Sequence, residues 1–485
     1  MNEAIRALEP AEVWNRFADL NAVPRPSKKE ERVIDFMVQF GKHLGLSTEV
    51  DKSGNVLIRK PATAGMEDRK TVVMQAHLDM VHQKNADTDF DFDTQGIAMY
   101  VDGDWVRAKG TTLGADNGLG VACIMAVLAS KNLSHPAIEA LFTIDEETGM
   151  TGALGLEGGW LTGDILLNLD TEEDDEIGVG CAGGIDVSAH AKYNEEPLPA
   201  GFVRACLTIK GLQGGHSGMD IHKGLGNANK LMNRCLIALG DKIRIARIDG
   251  GGLRNAIPRE SRAWVAFDPS STAEINQVID EISQALIDEY HLIEPDLQLL
   301  FEEDTTEADQ LMPLENQQTL LSVIEALHNG VYRMSPAIAD LVETSNNLAR
   351  VQVGNGEIRM DCLTRSSVET SKQDLVNSLK AVFDLAGYQV EFSGEYPGWA
   401  PNMDSSILRV LDNLYKEING KPAHVAACHA GLECGILGRN YPGMDMISIG
   451  PTIRGAHSPD ERASISSLQK FWVFLKRALE ETPKQ

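Results

Sequence analysis

Apolar and polar positions along the first part of the chain alternate between two periods. A helical pattern over residues 11–22 stops at Pro24 and Pro26, and Ser27 with Glu30 reads as a capping box opening a second helix through residue 44. Strands are predicted at 47–50 and 55–59, on either side of Ser53-Gly54, and a third on the apolar run 71–74. The glycine-rich stretch 110–118 leads into an apolar helix over 119–130, and further strands follow at 138–144 and 164–169. Strands alternating with helices in this way predict an α/β domain with a mainly parallel sheet.

Near Asp186 the texture changes. Residues 201–212 and 262–267 alternate as half-exposed strands do, with a helical pattern over 225–239 between them and another over 273–289. A strand pair at 346–353 and 357–364 precedes a helix over 372–386. The run Asn255-Ala-Ile-Pro-Arg-Glu-Ser-Arg-Ala-Trp-Val-Ala-Phe-Asp268 echoes Asn347-Leu-Ala-Arg350 followed by Glu357-Ile-Arg-Met-Asp361, which suggests a duplicated α+β unit. After Tyr396-Pro-Gly398 the α/β character returns, with a helix over 406–415, a strand at 444–448, a loop over 450–460 and a helix over 464–479. The expected organisation is one α/β domain, 1–186 and 395–485, interrupted by an α+β domain over 187–394.

Composition narrows the function classes. A hydrophobic fraction of 43% and a charged fraction of 24% suit a soluble globular protein of more than one domain. The net charge of −27 repels nucleic acid and anionic membranes, so neither is expected as a partner. The N-terminal residues lack an apolar signal core, and the longest apolar stretch, 121–129, is too short to span a bilayer. Seven scattered cysteines without a CxxC suggest neither a disulfide framework nor a cysteine zinc cluster, and point to a reducing cytoplasm.

Candidate chemistry collects at the ends of the predicted strands. His77 and Asp79, in Gln75-Ala-His-Leu-Asp-Met80, stand two apart and project from one face. A carboxylate beside a histidine suits a metal site, the acid orienting the ring that coordinates. Taken alone, a His-x-Asp is more often a satisfied polar pair at a strand end. Glu146 with Glu147, and Asp170, also follow predicted strands directly, and Asp116 stands just before a helix. In an open α/β sheet such positions gather at the carboxyl edge, where ligands bind. His457, in the 450–460 loop, adds a second imidazole. Two histidines with several carboxylates suit two divalent ions such as zinc, and two ions a few ångströms apart need a shared carboxylate.

Eight motifs strengthen the pattern: Ala76-His-Leu-Asp-Met80, Gly110-Thr-Thr-Leu-Gly-Ala-Asp-Asn-Gly118, Asp145-Glu-Glu-Thr-Gly149, Asn168-Leu-Asp170, Gly180-Cys-Ala-Gly-Gly184, Gly214-Gly-His-Ser-Gly218, His429-Ala-Gly-Leu-Glu-Cys-Gly435 and Gly455-Ala-His-Ser-Pro-Asp460. With these the whole chain resembles the co-catalytic zinc exopeptidases, a family that includes carboxypeptidase G, the aminoacylases and the carnosinases. The resemblance implies two Zn2+ per chain, with Co2+ or Mn2+ as substitutes. Asp116 would bridge them, His77 and Asp170 completing one site and Glu147 and His457 the other. Asp79 would orient His77, and Glu146 would act as general base and acid. It also implies a cis bond between Asp116 and Asn117, and an inserted domain acting as a lid. On the lid, His216 would stabilise the oxyanion, Arg365 would bind the substrate carboxylate and Asn255 would make a further contact. Small unblocked dipeptides are the implied substrates, Xaa-His favoured, and a homodimer the implied assembly, with His216 acting in its own chain or in a partner's. For the substrate's amine, Glu433 is one candidate, with a buried structural acid as its other reading. Two rival functions stay open at this point: an amidohydrolase of N-acyl amino acids, and a non-catalytic binding protein on the same fold.

Overall fold

The computed structural model describes residues 2–304 and 309–485. It divides into two compact units. The first comprises Met1–Gly180, Trp399–Ala427 and Leu432–Gln485; the second comprises Cys181–Gly398 and Cys428–Gly431.

The first unit is built on a sheet of eight strands among the described residues. Their order is Ser47–Val50, Val56–Lys60, Ile138–Thr143, Val72–His77, Ile165–Asn168, Asp445–Ser448, Glu176–Cys181 and His424–Cys428. The four strands from Ile138–Thr143 to Asp445–Ser448 run parallel. The first three of these are buried along their whole length, as near-continuous apolar sequences covered on both faces require. The Ala115–Ala129 helix packs on Val72–His77 and against the Ala11–Leu20 helix. Parallel strands put their carboxyl ends at one edge, and each of the four leads there into a segment carrying a candidate residue.

Two local expectations change. The predicted capping box does not form: the Glu31–His43 helix has no side-chain cap, and Glu30 Oε1 accepts from Lys28 N at 2.8 Å. Ser27 is drawn away because its hydroxyl donates to Asp79 Oδ2 at 2.8 Å. The helix expected from residue 119 starts four residues earlier, at Ala115, with non-helical backbone at Asp116 and Asn117 and a cis bond between them.

The second unit is a nine-stranded sheet among the described residues, with helices packed on one face. Its main order is Gln298–Glu303, Val203–Lys210, Ser261–Phe267, Arg244–Gly251, Val342–Gly354, Glu357–Ser366, Gly183–Lys192 and Gln389–Tyr396, all paired antiparallel. The order contains the same βαββαβ arrangement twice. In chain order one copy uses Val203–Lys210, helix Ala228–Leu239, Arg244–Gly251, Ser261–Phe267, helix Thr272–Tyr290 and Gln298–Glu303. The other uses Gly183–Lys192, helix Leu314–Ala326, Val342–Gly354, Glu357–Ser366, helix Glu369–Leu385 and Gln389–Tyr396. In both, the fourth strand lies beside the first, then the third, then the second. The first copy is inserted after the opening strand of the second, and they join through their second strands. Only part of the sequence echo marks this repeat. Ser261–Phe267 and Glu357–Ser366 hold equivalent third places, whereas Asn255 lies in a connection and Asn347 inside a strand.

The unit boundaries fall at 180/181 and 398/399, against the expected 186/187 and 394/395. The reason is steric as well as topological. Asp186 lies inside Gly183–Lys192, and a Cβ on Gly183 would stand 2.4 Å from Gly398 N, so these segments enter the sheet as a packed pair.

Phe142 is fully buried at the centre of the first sheet, whereas Leu385 is 91% exposed. Phe142→Ala should cost about 3–5 kcal/mol in urea unfolding, and Leu385→Ala should stay within about 0.5 kcal/mol of the parent.

Candidate metal centre

At the carboxyl edge of the first sheet, Asp116 divides its two oxygens between two histidines. Oδ1 lies 3.1 Å from His77 Nε2, and Oδ2 lies 3.2 Å from His457 Nε2. Asp170 Oδ1 completes the first group at 3.5 Å from His77 Nε2, and Glu147 Oε2 the second at 2.9 Å from His457 Nε2. Each triad, His77/Asp116/Asp170 and Asp116/Glu147/His457, has its ligand atoms within 4.8 Å of one another. The donor set fits two cations that share a carboxylate, with two imidazoles and otherwise oxygen ligands. Glu147 Oε1 strengthens the fit, being buried without a hydrogen-bond partner.

The electrostatics carry the mark of missing positive charge. Asp116 and Glu147 push the pKa of His457 up to about 11. Burial acts against protonation of His77, yet Asp170, Asp116 and Asp79 raise it well above the ordinary histidine range. Burial pushes Glu146 well above the usual carboxylate range; His77 opposes the shift, while Asp170, Glu433 and Glu147 reinforce it.

Asp79 sits under this constellation and holds three functional groups. Its Oδ1 stands 3.4 Å from His77 Nδ1. Oδ1 also accepts from Glu146 N at 3.0 Å, and Oδ2 from Glu147 N at 3.3 Å. The backbone around the site is conformationally unusual: Asp145 and His457 both occupy the left-handed region, at φ 57° and 64°.

Several supporting residues escaped the sequence reading. Glu461, 2% exposed, accepts four backbone amides: Leu113 N and Gly114 N on Oε2 at 2.7 and 2.9 Å, Ala115 N and Asp116 N on Oε1 at 2.7 and 3.2 Å. One carboxylate thereby ties the segment carrying His457 to the loop carrying Asp116. Arg25, also buried, donates to the carbonyls of Leu78, Asp79 and Gly114. Gly114 is needed for this approach, since it adopts φ 69° and a Cβ there would meet Arg25 Nη2 at 2.6 Å. The cue available in sequence was position: Glu461 stands four residues after His457.

Glu433 resolves as the buried structural acid, which removes it as a contact for the substrate's amine. It is fully buried, and Oε2 accepts from Gln75 Nε2 and Thr143 Oγ1, both at 2.6 Å. Gln75 Oε1 accepts in turn from Asn168 Nδ2 at 2.6 Å, and Asn168 Oδ1 from Ser448 Oγ at 2.5 Å. This polar chain cross-links the four parallel strands beneath their functional ends.

The second unit holds the other predicted residues. His216 Nδ1 accepts from Gly218 N at 3.2 Å and Met219 N at 3.0 Å, so the ring proton of a neutral imidazole belongs on Nε2. The short strand Gly215–His216 pairs with Ala256–Ile257, next to exposed Asn255, whose carbonyl accepts from Ser217 N at 2.8 Å. Arg365, 4% exposed, donates from Nη1 to Tyr396 Oη at 2.8 Å.

The profile of peptidase family M20/M25/M40 matches residues 73–481. The chain is 44% identical over 478 residues to the cytosol non-specific dipeptidase of Escherichia coli (strain K12), covering 98% of both. The solved structure of aminoacylhistidine dipeptidase from Vibrio alginolyticus is similar at a TM-score of 0.93 and 45% identity, over 100% of both chains. A metallo-carboxypeptidase of the M20 family from Sulfolobus solfataricus, at 14% identity and 97% and 99% coverage of the two chains, shares the fold at a TM-score of 0.52.

Burial holds the Glu433 carboxyl at a pKa of about 8, against 4.5 ordinarily. The folded chain therefore retains a proton that the unfolded chain releases. The associated stability is complete below pH 4.5 and is lost as pH rises towards about 8. In metal-stripped protein, the Tm of Glu433→Gln relative to the parent should rise across that window; a constant difference would show that Glu433 is ionised throughout.

Proposed function

The chain belongs to peptidase family M20/M25/M40, and we propose that it hydrolyses unblocked dipeptides, Xaa-His peptides among those favoured, with Glu146 as general base. Members of this family are metal-dependent. The observation that carries the reading is Asp116, whose two oxygens serve two histidine–carboxylate groups.

Two divalent ions held by His77, Asp116 and Asp170 and by Asp116, Glu147 and His457, zinc first with cobalt or manganese as substitutes, would supply Lewis acidity to a water and to the scissile carbonyl. Glu146 takes a proton from the attacking water and delivers it to the leaving amine. His216 Nε2–H donates to the developing oxyanion. Arg365 supplies paired donors for the free carboxylate, and Asn255 a further contact. Asp79 orients His77 and fixes the backbone of both glutamates.

The names of the relatives support dipeptides as substrates, one being a non-specific dipeptidase and the other an aminoacylhistidine dipeptidase. The cytosol is the matching compartment, consistent with seven scattered cysteines and no CxxC. Glu146→Ala should lower kcat by about 10²–10⁴-fold or more while metal content measured by mass spectrometry stays unchanged. Survival of activity would remove the base assignment. In the same assays β-Ala-His and Gly-His should outrun N-acetylated amino acids; the reverse order would favour the amidohydrolase. A homodimer belongs to this reading. Sedimentation should give a dimer, and mixing inactive Glu146→Ala and His216→Ala chains should restore activity only if a site is shared between subunits.

A further inference from the structure

Gly184 closes the motif Gly180-Cys-Ala-Gly-Gly184, to which the proposed reaction gives no role. In the second unit it lies on Gly183–Lys192, directly opposite Arg365 on one neighbouring strand and Tyr396 on the other. Strands that flank a third hold their main chains about 9–10 Å apart, so their side chains meet only where the middle residue leaves room. Gly184 leaves it. A Cβ there would stand 2.6 Å from Tyr396 Oη and 2.7 Å from Cζ of the same ring. The phenol lies over the bare glycine and accepts from Arg365 Nη1 at 2.8 Å.

The chain is bent to bring Tyr396 there. Ser393 pairs with Asp186 and Tyr396 with Gly184, three residues advancing against two, so the ladder carries a bulge beside Gly394, which adopts φ 58°. In unbroken register Glu395 would oppose Gly184 and place a carboxylate beside the guanidinium. Beyond the bulge, buried Lys372 donates to the Tyr396 carbonyl at 3.1 Å.

Both side chains keep donors unused. Arg365 Nε faces Ser217 Oγ at 3.5 Å and Nη1 bonds the phenol, while Nη2 has no partner among the described residues. Arg365 is buried, yet no acid among the described residues forms an ion pair with it. Tyr396 Oη accepts from Arg365, and no described residue accepts the phenol's own proton. A buried cation without a counter-ion, beside a hydroxyl without an acceptor, calls for an anion that can accept from both.

We propose that the Tyr396 hydroxyl, seated over Gly184, donates to the substrate's free carboxylate beside Arg365 and so helps determine specificity for a free C-terminus. The inference rests on the dipeptidase reading, in which Arg365 meets that carboxylate. A phenol that accepts from a guanidinium is polarised towards donation, so the cation strengthens the neutral donor next to it. One carboxylate oxygen takes the phenol's proton while the other takes a guanidinium N–H. A C-terminal amide, with one acceptor oxygen and no charge, cannot match this.

The test compares Gly-His with glycyl-histidinamide, which differs only in its blocked carboxylate. In the full-length, metal-loaded enzyme, Tyr396→Phe keeps the ring and removes the hydroxyl. It should raise KM for Gly-His by about 10–100-fold with kcat within about threefold, and leave kcat/KM for the amide within about twofold. On an Arg365→Ala background, Tyr396→Phe should still raise KM for Gly-His by at least about threefold. An equal loss on both compounds or an unaltered KM for Gly-His would overturn the proposal. So would disappearance of the effect on the Arg365→Ala background, which would make Tyr396 a positioning residue for Arg365. Arg365→Ala losing equally on Gly-His and the amide would instead overturn the carboxylate role of Arg365 itself.

Discussion

The crowding of buried and half-buried carboxylates at one sheet edge is the constraint that organises the first unit. Asp79, Asp116, Glu146, Glu147, Asp170, Glu433 and Glu461 all gather there, and like charges in a poorly solvated place repel strongly unless compensated. The structure compensates them by three different means. Backbone amides serve Asp79 and Glu461, protonation serves Glu433, and the remaining ligand oxygens turn inward around His77 and His457. Burial and Asp116 still hold Glu461 at a pKa of about 7 despite its four amides, which shows how strong the local field is. The donor set of the last group fits divalent cations.

Holding such a centre open takes rigidity, and the fold supplies it from below. Four parallel strands are linked through Thr143, Glu433, Gln75, Asn168 and Ser448 by hydrogen bonds that are buried throughout. A buried network of this kind fixes register more firmly than apolar packing, because any slip leaves further polar atoms unpaired. Above it, Glu461 and Arg25 grip the loop that carries Asp116 from both sides, one on its amides and the other on a carbonyl.

How much of this was legible depended on the range of the interaction. His77, Asp116, Glu147, Asp170 and His457 could be found because each stands directly after a strand, before a helix or in a glycine-flanked loop, and strand ends imply a common edge. The α/β pattern was legible for the same reason, since buried parallel strands read as continuous apolar runs. Ser27 was misread as a helix cap because its local pattern is a good one; a long-range bond to Asp79 outcompetes it. Glu461 was opaque because a buried glutamate looks in sequence like any surface glutamate, and for the same reason the sequence left Glu433 with two readings, a contact for the amine or a buried structural acid. The duplicated lid showed only partly, as one copy is threaded into the other and separates strands that are neighbours in the sheet.

The division of labour between Glu146 and Glu147 follows from a single carboxylate. The two adjacent glutamates lie in the turn that follows the Ile138–Thr143 strand, where Glu147 Oε2 meets His457 Nε2 at 2.9 Å. Without an anchor, either could swing towards the metal centre. Asp79 removes that freedom by accepting both backbone amides, one on each oxygen, while it faces the ring of His77. Ser27 then fixes Asp79 itself. Glu147, Glu146 and His77 are therefore referenced to one buried group, and a shift of any of them would have to move all three. That coupling explains why a residue that meets neither metal nor substrate in this arrangement is as exacting in its geometry as those that would.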